Sequence, residues 1–240
     1  MSTNEHVVTW IEEGVRRIRL ERTARRNALT LPMFAALAAT LEAADADPDV
    51  RAVMLSGAGA GFTAGHDLDA FAEWPQESGD PVPAFLHALA RLDKPLVVAV
   101  HGDAVGIGAT LLLHADWVCC TPGARLRFPF VDLGIGPEAG SSALLPRVVG
   151  LARARRLLLG GEAFSGSQAH DWGLVTELTE PDELPATAAG RARALADKPA
   201  DAFRGIKRLL ARTPDADIAP RIDEEVEFIN RSLAARAGAS

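Results

Sequence analysis

Three times in its first 150 residues the chain runs from an apolar strand through a glycine-rich loop toward a helical stretch. The most constraining case is Leu96–Val100, LVVAV, bounded by Lys94-Pro95 and followed by HGDAVGIGATLLL. A strand that is apolar at every position has no face to offer to water, so it must be covered on both sides. Val50–Ser56 reads as a strand ending in GAGAGFTAGHDL, and Arg125–Phe128 as a short strand before PFVDLGIGPEAGSS. Strand, glycine loop and helix in recurrence make the class α/β.

The remaining elements follow from period and punctuation. Val7–Trp10 and Val15–Leu20 read as strands around a Glu-Glu-Gly turn. Thr30 reads as an N-cap, with Pro32 in the first turn of a helix carrying Met33, Leu37 and Leu41. Pro83–Leu92 reads as a helix, Gly106–His114 as a helix start and Trp117–Cys120 as a strand. Ser141–Val149 and Ala152–Leu159 read as helices separated by Gly150. From about residue 185 the chain is Ala/Arg-rich and helical, broken at Lys198-Pro199 and Thr213-Pro214. We expect a core over residues 1–185 and a helical C-terminal region over 186–240 that caps the core or meets another copy. No repeat is visible in the sequence itself.

Composition removes several function classes. At 240 residues with 48% hydrophobic and 24% charged residues, the chain can build a sizeable core. A net charge of −7 without a basic run argues against a nucleic-acid surface. No apolar run reaches the roughly 18–20 residues of a membrane helix, and MSTNEHVVTW lacks a basic-then-apolar leader pattern. A soluble, cytoplasmic protein without membrane or nucleic-acid partners is expected. Cys119 and Cys120 are adjacent, which suits two buried thiols in a reducing compartment better than a disulfide or a metal site. His101, His114 and His170 have no metal-ligand spacing, so no metal is expected.

Three segments hold the candidate chemistry. In GAGAGFTAGHDL the glycines fall at 57, 59, 61 and 65, which fits neither a dinucleotide fingerprint nor a phosphate loop. The segment is either a tight surface turn or a place where N–H groups near Gly65 and His66 face an anion or oxyanion. The His66 side chain is a second, weaker candidate for chemistry, and Asp67 reads as a carboxylate that fixes the loop. Gly106-Ile107-Gly108 opens a helix, either for close packing or for polarising a carbonyl. Glu138 stands in a Gly/Pro loop before a helix, either as a helix-start acid or as a proton-transfer group. Asp116 and Asp132 read as structural. No Gly-x-Ser-x-Gly elbow is present.

The stretches ERTARRNALT, VMLSGAGAGFTAGHDL, KPLVVAVHGDAVGIGATLLLHAD, FPFVDLGIGPEAGSSALLPRVVG and GEAFSGSQAHDWGLVTEL run in that order over about residues 10–210. Together they resemble the crotonase (enoyl-CoA hydratase/isomerase) superfamily. The resemblance implies a spiral of repeated ββα units, a helical C-terminal trimerisation region, and assembly as a homotrimer or dimer of trimers. It implies an acyl-CoA thioester as ligand, with coenzyme A carried by the substrate and no other cofactor. By motif position the two backbone oxyanion donors fall on His66 and Ile107. The CoA arm falls along Arg25 and along Ala64, Gly65, Asp67 and Leu68, with Gly106, Phe130 and Leu133 beside the substrate. Lys207 is assigned a phosphate contact.

The departures narrow the chemistry. The two glutamates with which family hydratases add water fall here on Thr110 and Phe130, neither of which activates water. The acid that remains is Glu138, as in the family's Δ3-Δ2-enoyl-CoA isomerases. Burial beside Phe130 and Leu133 is expected to raise its pKa. The alternatives are a ring-type isomerase, a hydratase, an aryl-CoA dehalogenase with a loop carboxylate as nucleophile, and a non-catalytic acyl-CoA-binding protein.

Overall fold

The computed structural model describes residues 4–211 and 218–237. In chain order the elements are β1 (Val7–Glu12), β2 (Val15–Leu20), α1 (Leu31–Ala46), β3 (Ala52–Gly57), α2 (Pro81–Arg91), β4 (Leu96–Val100) and β5 (Asp103–Val105). There follow the single turn α3 (Ile107–Thr110), β6 (Trp117–Cys120), β7 (Arg125–Arg127), α4 (Ser141–Val149), α5 (Leu151–Gly160), β8 (Phe164–Ser165), α6 (Gly166–Asp171) and β9 (Glu177–Leu178). The chain closes with α7 (Leu184–Ala196), α8 (Ala200–Ala211) and α9 (Ile218–Ala237). The expected break at Lys198-Pro199 falls between α7 and α8, whereas the one at Thr213-Pro214 lies outside the described residues.

β1, β2, β3, β4, β6 and β9 form one sheet in that order, antiparallel only between β1 and β2. β5, β7 and β8 form a second, smaller sheet. From β4 onward the chain alternates between them: β4 to β5, β6 to β7, β8 to β9. Parallel bridges at Leu29–His66 and Thr63–Ala104 extend the second sheet's pairing back to the loop after β3. The chain therefore winds as a spiral of ββα turns. The repeat escapes the sequence because its second strands are three residues or shorter and the loops differ in length.

Strand periodicity explains the apolar runs. Val53, Leu55, Val98, Val100, Val118 and Cys120 belong to the main core, which also takes in the buried residues of α1 and α2, and Ala52, Met54, Val97, Ala99 and Cys119 belong to a second layer with α7. Both faces of β4 are thus buried, at about 1.5–3 kcal/mol of stabilisation for each fully buried Val or Leu. The adjacent cysteines point into opposite layers because successive strand residues alternate. Both are free thiols, and burial pushes each pKa up to about 12, so they are inert. The α7 helix contributes Ala188, Ala192 and Ala196 to its layer, small residues that let it lie close to the sheet.

Two local expectations are corrected. Thr30 holds the N-cap position of α1 but makes no side-chain capping bond. The helix expected over Gly106–His114 is α-helical only to Thr110 and becomes a 3-10 turn over Leu111–His114. A further 3-10 turn spans Leu68–Glu73. Among the described residues no helix is long and apolar enough to cross a membrane.

Candidate active site

The glycine loops of three spiral turns meet at one cavity of about 680 Å³. Its lining includes Arg25, Ala64, Gly65, His66, Asp67, Leu68, Gly106, Ile107, Phe130, Leu133 and Glu138. Sequence positions scattered over more than a hundred residues are therefore brought together.

The loop after β3 is tied down by Asn27, which sequence reasoning passed over. The buried Asn27 amide donates to Ala58 O (2.8 Å) and Gly61 O (3.0 Å), and its Oδ1 accepts from Arg22 N–H (2.8 Å). Thr63 Oγ1 donates to Asn27 O (2.6 Å) and accepts from Gly65 N–H (3.0 Å). The bridge to Leu29 uses the groups on either side of His66: Leu29 N–H donates to Gly65 O (2.7 Å) and Asp67 N–H to Leu29 O (2.8 Å). The N–H of His66 itself has no backbone acceptor among the described residues.

The second loop behaves likewise. Gly106 N–H donates to Arg127 O (3.0 Å), and Ala109 and Thr110 N–H both reach Gly106 O (2.9 Å). Ile107, the first residue of α3, has no intrahelical acceptor for its N–H. The two loops are in close contact: at Gly65, where φ is +90°, a Cβ would sit 2.5 Å from Val105 O. Only glycine meets both demands.

The His66 ring belongs to the cavity wall. It stacks on Phe71 (centroids 4.5 Å apart, 16° between planes) and lies near Phe34 (5.1 Å) and Trp74 (6.2 Å). Burial pulls its pKa down to about 4, against the opposing charge of Asp67, so the imidazole is neutral near pH 7. Its buried Nε2 has no hydrogen-bond partner among the described residues. Asp67 fixes the loop: it accepts from Asp69 N–H (3.1 Å) and pairs with Arg22. Its burial opposes ionisation, but the Arg22 hydrogen bond, the Asp69 N–H and the Arg22 and Arg25 charges hold its carboxyl below the usual range.

Glu138 is buried in the cavity wall, 8% exposed. Thr110 Oγ1 donates to its Oε1, whereas the buried Oε2 has no partner among the described residues. Burial raises its pKa to about 8; the Thr110 hydrogen bond opposes the rise and the charge of Glu225 adds to it. It is not the acid that serves the helix start. The N-cap of α4 is Gly140, and the N–H groups of Gly140 and Ser142 donate to Glu225 of α9 (2.7 and 3.0 Å).

Four arginines line the cavity: Arg25, Arg26, Arg125 and Arg127. Arg25 pairs with Asp69 (2.7 Å), Arg26 and Arg125 reach Asp103 (3.6 Å each), and Arg127 pairs with Asp132 (2.7 Å). Exposed pairs of this kind are worth only about 0–1 kcal/mol, so an anionic ligand can exchange for the carboxylates. Of the four, sequence reasoning picked out only Arg25; Arg125 and Arg127 stand two apart on β7, a spacing that puts them on one face. Lys207 does not line the cavity. Its Nζ donates to Asp116 Oδ2 (2.6 Å) and to Lys94 O (3.0 Å), and Asp116 also takes Leu96 N–H (2.8 Å). Among the described residues no group of three or more His, Cys, Asp and Glu has metal-binding geometry.

The profile of a family described as enoyl-CoA hydratase/isomerase matches residues 10–233. The chain is 35% identical to 1,2-epoxyphenylacetyl-CoA isomerase of Escherichia coli (strain K12), over 98% of this chain and 94% of that protein. It is 29% identical to 4-chlorobenzoyl coenzyme A dehalogenase-2 of Arthrobacter sp, over 97% and 88%. The solved structure of Pseudomonas aeruginosa OdaA superimposes with a TM-score of 0.92 at 40% identity, covering 96% of this chain and 94% of that one.

Proposed function

This chain belongs to the enoyl-CoA hydratase/isomerase (crotonase) family, and from that premise we propose that it is a CoA-thioester isomerase that shifts a carbon–carbon double bond by proton transfer. Glu138 is the single acid/base, and the backbone N–H groups of His66 and Ile107 form the oxyanion hole. The observation that carries the reading is the state of Glu138: a buried carboxyl in the cavity wall, held at one oxygen by Thr110 and, among the described residues, unpartnered at the other.

The chemistry follows from those groups. The thioester carbonyl lies against the N–H groups of His66 and Ile107. Glu138 takes a proton from C2 of a 3-enoyl thioester, and the electrons move into a dienolate whose oxygen the two N–H groups hold. The same carboxyl returns the proton at C4, giving the 2-enoyl ester. A raised pKa suits a group that must both accept and donate near neutral pH. Each oxyanion donor is worth about 2.7–4 kcal/mol in the transition state. Arg25, Arg26, Arg125 and Arg127 supply positive charge for the phosphates of coenzyme A. With Thr110 and Phe130 where hydratases have glutamates, hydration of a 2-enoyl ester is not expected. A homotrimer or dimer of trimers is part of the proposal, supported by the exposed Ile206, Leu209 and Leu210 on α8.

A second reading changes the acyl group and keeps the machinery. The rings of Phe34, His66, Phe71 and Trp74 form a wall suited to a flat ring, which favours a cyclic or aromatic acyl group, as in the named substrate of the Escherichia coli relative.

The test is incubation of the protein and its Glu138→Gln variant with 3-enoyl-CoA and 2-enoyl-CoA in deuterated water, read by mass spectrometry and NMR. Conversion of the 3-enoyl to the 2-enoyl ester by the wild type alone, without hydration, is expected. No conversion and no deuterium uptake from these esters, or from aryl-CoA esters offered in parallel, would overturn the isomerase reading. A covalent ester trapped on Glu138 would replace proton transfer by nucleophilic attack.

A further inference from the structure

We propose that Glu225, on α9, is the positioning residue of the Glu138 loop: by taking the backbone N–H groups of Gly140 and Ser142 it fixes the direction in which the Glu138 carboxyl points. The proposal rests on the acid/base reading of Glu138.

Three contacts hold the peptide units that follow Glu138. His114 Nε2 donates to Ala139 O (2.7 Å), Gly140 N–H donates to Glu225 Oε2 (2.7 Å), and Ser142 N–H donates to Glu225 Oε1 (3.0 Å). His114 is half-buried, and desolvation lowers its pKa to about 4, so a neutral ring makes the bond. Between these anchors Ala139 is held at φ +57°, a left-handed conformation that a residue with a Cβ keeps only when its surroundings impose it. On the other side of Glu138, Gly136 lies under the Phe228 ring of α9, where a Cβ would be 2.2 Å from Cδ1.

Glu225 is 5% exposed and lies on the same face of α9 as Ile222, Val226 and Ile229. Val226 and Ile229 line the cavity, so this one face of α9 both walls the site and grips the loop. Capping α4 for stability alone would need only a local Ser, Thr, Asp or Asn. A carboxylate brought from another helix into an apolar interface carries a desolvation penalty that a local cap avoids. What it adds is a fixed distance between α9 and the loop. It also places a second carboxyl near Glu138, with Arg221 of α9 acting on Glu225, His114 on the loop carbonyl and Thr110 of α3 on Glu138 itself.

Two variants separate the geometry from the charge. Glu225→Gln keeps the shape, removes the charge and leaves one of the two N–H groups facing an amide NH₂. Ser142→Pro keeps Glu225 and removes both donors that Ser142 gives it, the backbone N–H and the hydroxyl; it puts proline at the second position of α4, where α1 and α7 already carry one. The readouts are kcat and KM over pH, together with titration of the Glu138 carboxyl by NMR on protein labelled at the glutamate carboxyl carbons, without substrate. We expect kcat to fall at least 30-fold in Glu225→Gln and about tenfold in Ser142→Pro, with KM within threefold of wild type. Glu138 should titrate at lower pH in Glu225→Gln and at its wild-type pH in Ser142→Pro. Values of kcat within twofold of wild type in both variants, or a loss confined to KM or to melting temperature with the Glu138 titration unmoved, would overturn the proposal. If Glu225→Gln does not fold, Ser142→Pro decides by its kcat. A wild type that turns over no thioester would sink the acid/base reading alone; the proposal then stands or falls on whether the Glu138 titration moves in Glu225→Gln.

Discussion

The hydroxyl of Thr110 donates to Oε1 of Glu138. The position at which family hydratases carry a glutamate is thus not idle: it holds the one remaining acid from α3. A hydroxyl donor stabilises the carboxylate form against the burial that favours the neutral acid.

Thr110→Val removes that donor at nearly constant volume. The hydrogen bond lowers the pKa of Glu138, so its loss moves the pKa above about 8. Hydrogen bonds to charged groups are worth about 1.5–3 kcal/mol, which corresponds to roughly a 10–100-fold fall in kcat/KM at pH 7. Rates measured from pH 6 to 10 should show the rising limb displaced to higher pH. A limb that stays in place would mean that the hydroxyl does not touch the working acid.

Glu138→Gln should trade activity for stability, in a direction set by pH. The folded-state pKa of Glu138 is raised from 4.5 to about 8. Its protonated form suits the fold, so stability is fully present below pH 4.5 and is lost as pH rises toward and through 8. The glutamine variant does not titrate and keeps what the wild type loses. Melting curves at pH 5 and pH 8.5 should give a variant advantage that widens with pH. Each 1 kcal/mol amounts to about 2–4 °C in a domain of this size.

His66→Phe tests whether the imidazole does more than fill the wall. The ring is neutral near pH 7 and its buried Nε2 has no partner among the described residues. Replacing it by a phenyl ring removes an unsatisfied polar group, so melting temperature should hold or rise. The backbone N–H stays, and kcat should remain within about tenfold, well short of the 10²–10³-fold loss that goes with an oxyanion donor. A loss of the larger size would assign chemistry to the side chain.

Gly65→Ala addresses the proposed oxyanion loop. The new Cβ would meet Val105 O at 2.5 Å in a backbone at φ +90°, so the loop must shift away from the segment that leads into Ile107. Displacing one donor should lower kcat by roughly 10²–10³-fold. Binding of a non-reactive acyl-CoA, measured by calorimetry, should change far less. Equal losses in both would mean that the loop serves binding rather than the transition state.

What was legible in the sequence was what strand periodicity and glycine control locally. Leu96–Val100 and Trp117–Cys120 have the expected bounds, because their burial is written into adjacent side chains. The glycine loops and Glu138 come together at the cavity, because Gly65 and Gly106 admit backbone conformations that other residues resist. β5 and β8 were missed, since strands of two or three residues carry no readable period. Lys207 was assigned a phosphate contact; its charge is taken by Asp116, a partner 91 residues away that no local pattern discloses. Glu225 did leave a trace: in Ile222, Glu225, Val226 and Ile229 it is the one acid at an apolar helical spacing.

The hold of α9 on the Glu138 loop has a consequence for the order in which the molecule becomes competent. Glu225 is added to the growing chain 85 residues after Gly140, when both glycine loops, the sheet strands and the acid itself have already been made. The chain is made from its N-terminus at about 5–20 residues per second. A nascent chain that has reached α8 therefore carries Glu138 with two loop N–H groups unanswered and with the Val226 and Ile229 side of the cavity open. On the acid/base reading of Glu138, its chemistry waits for α9, the last of the described helices to be made.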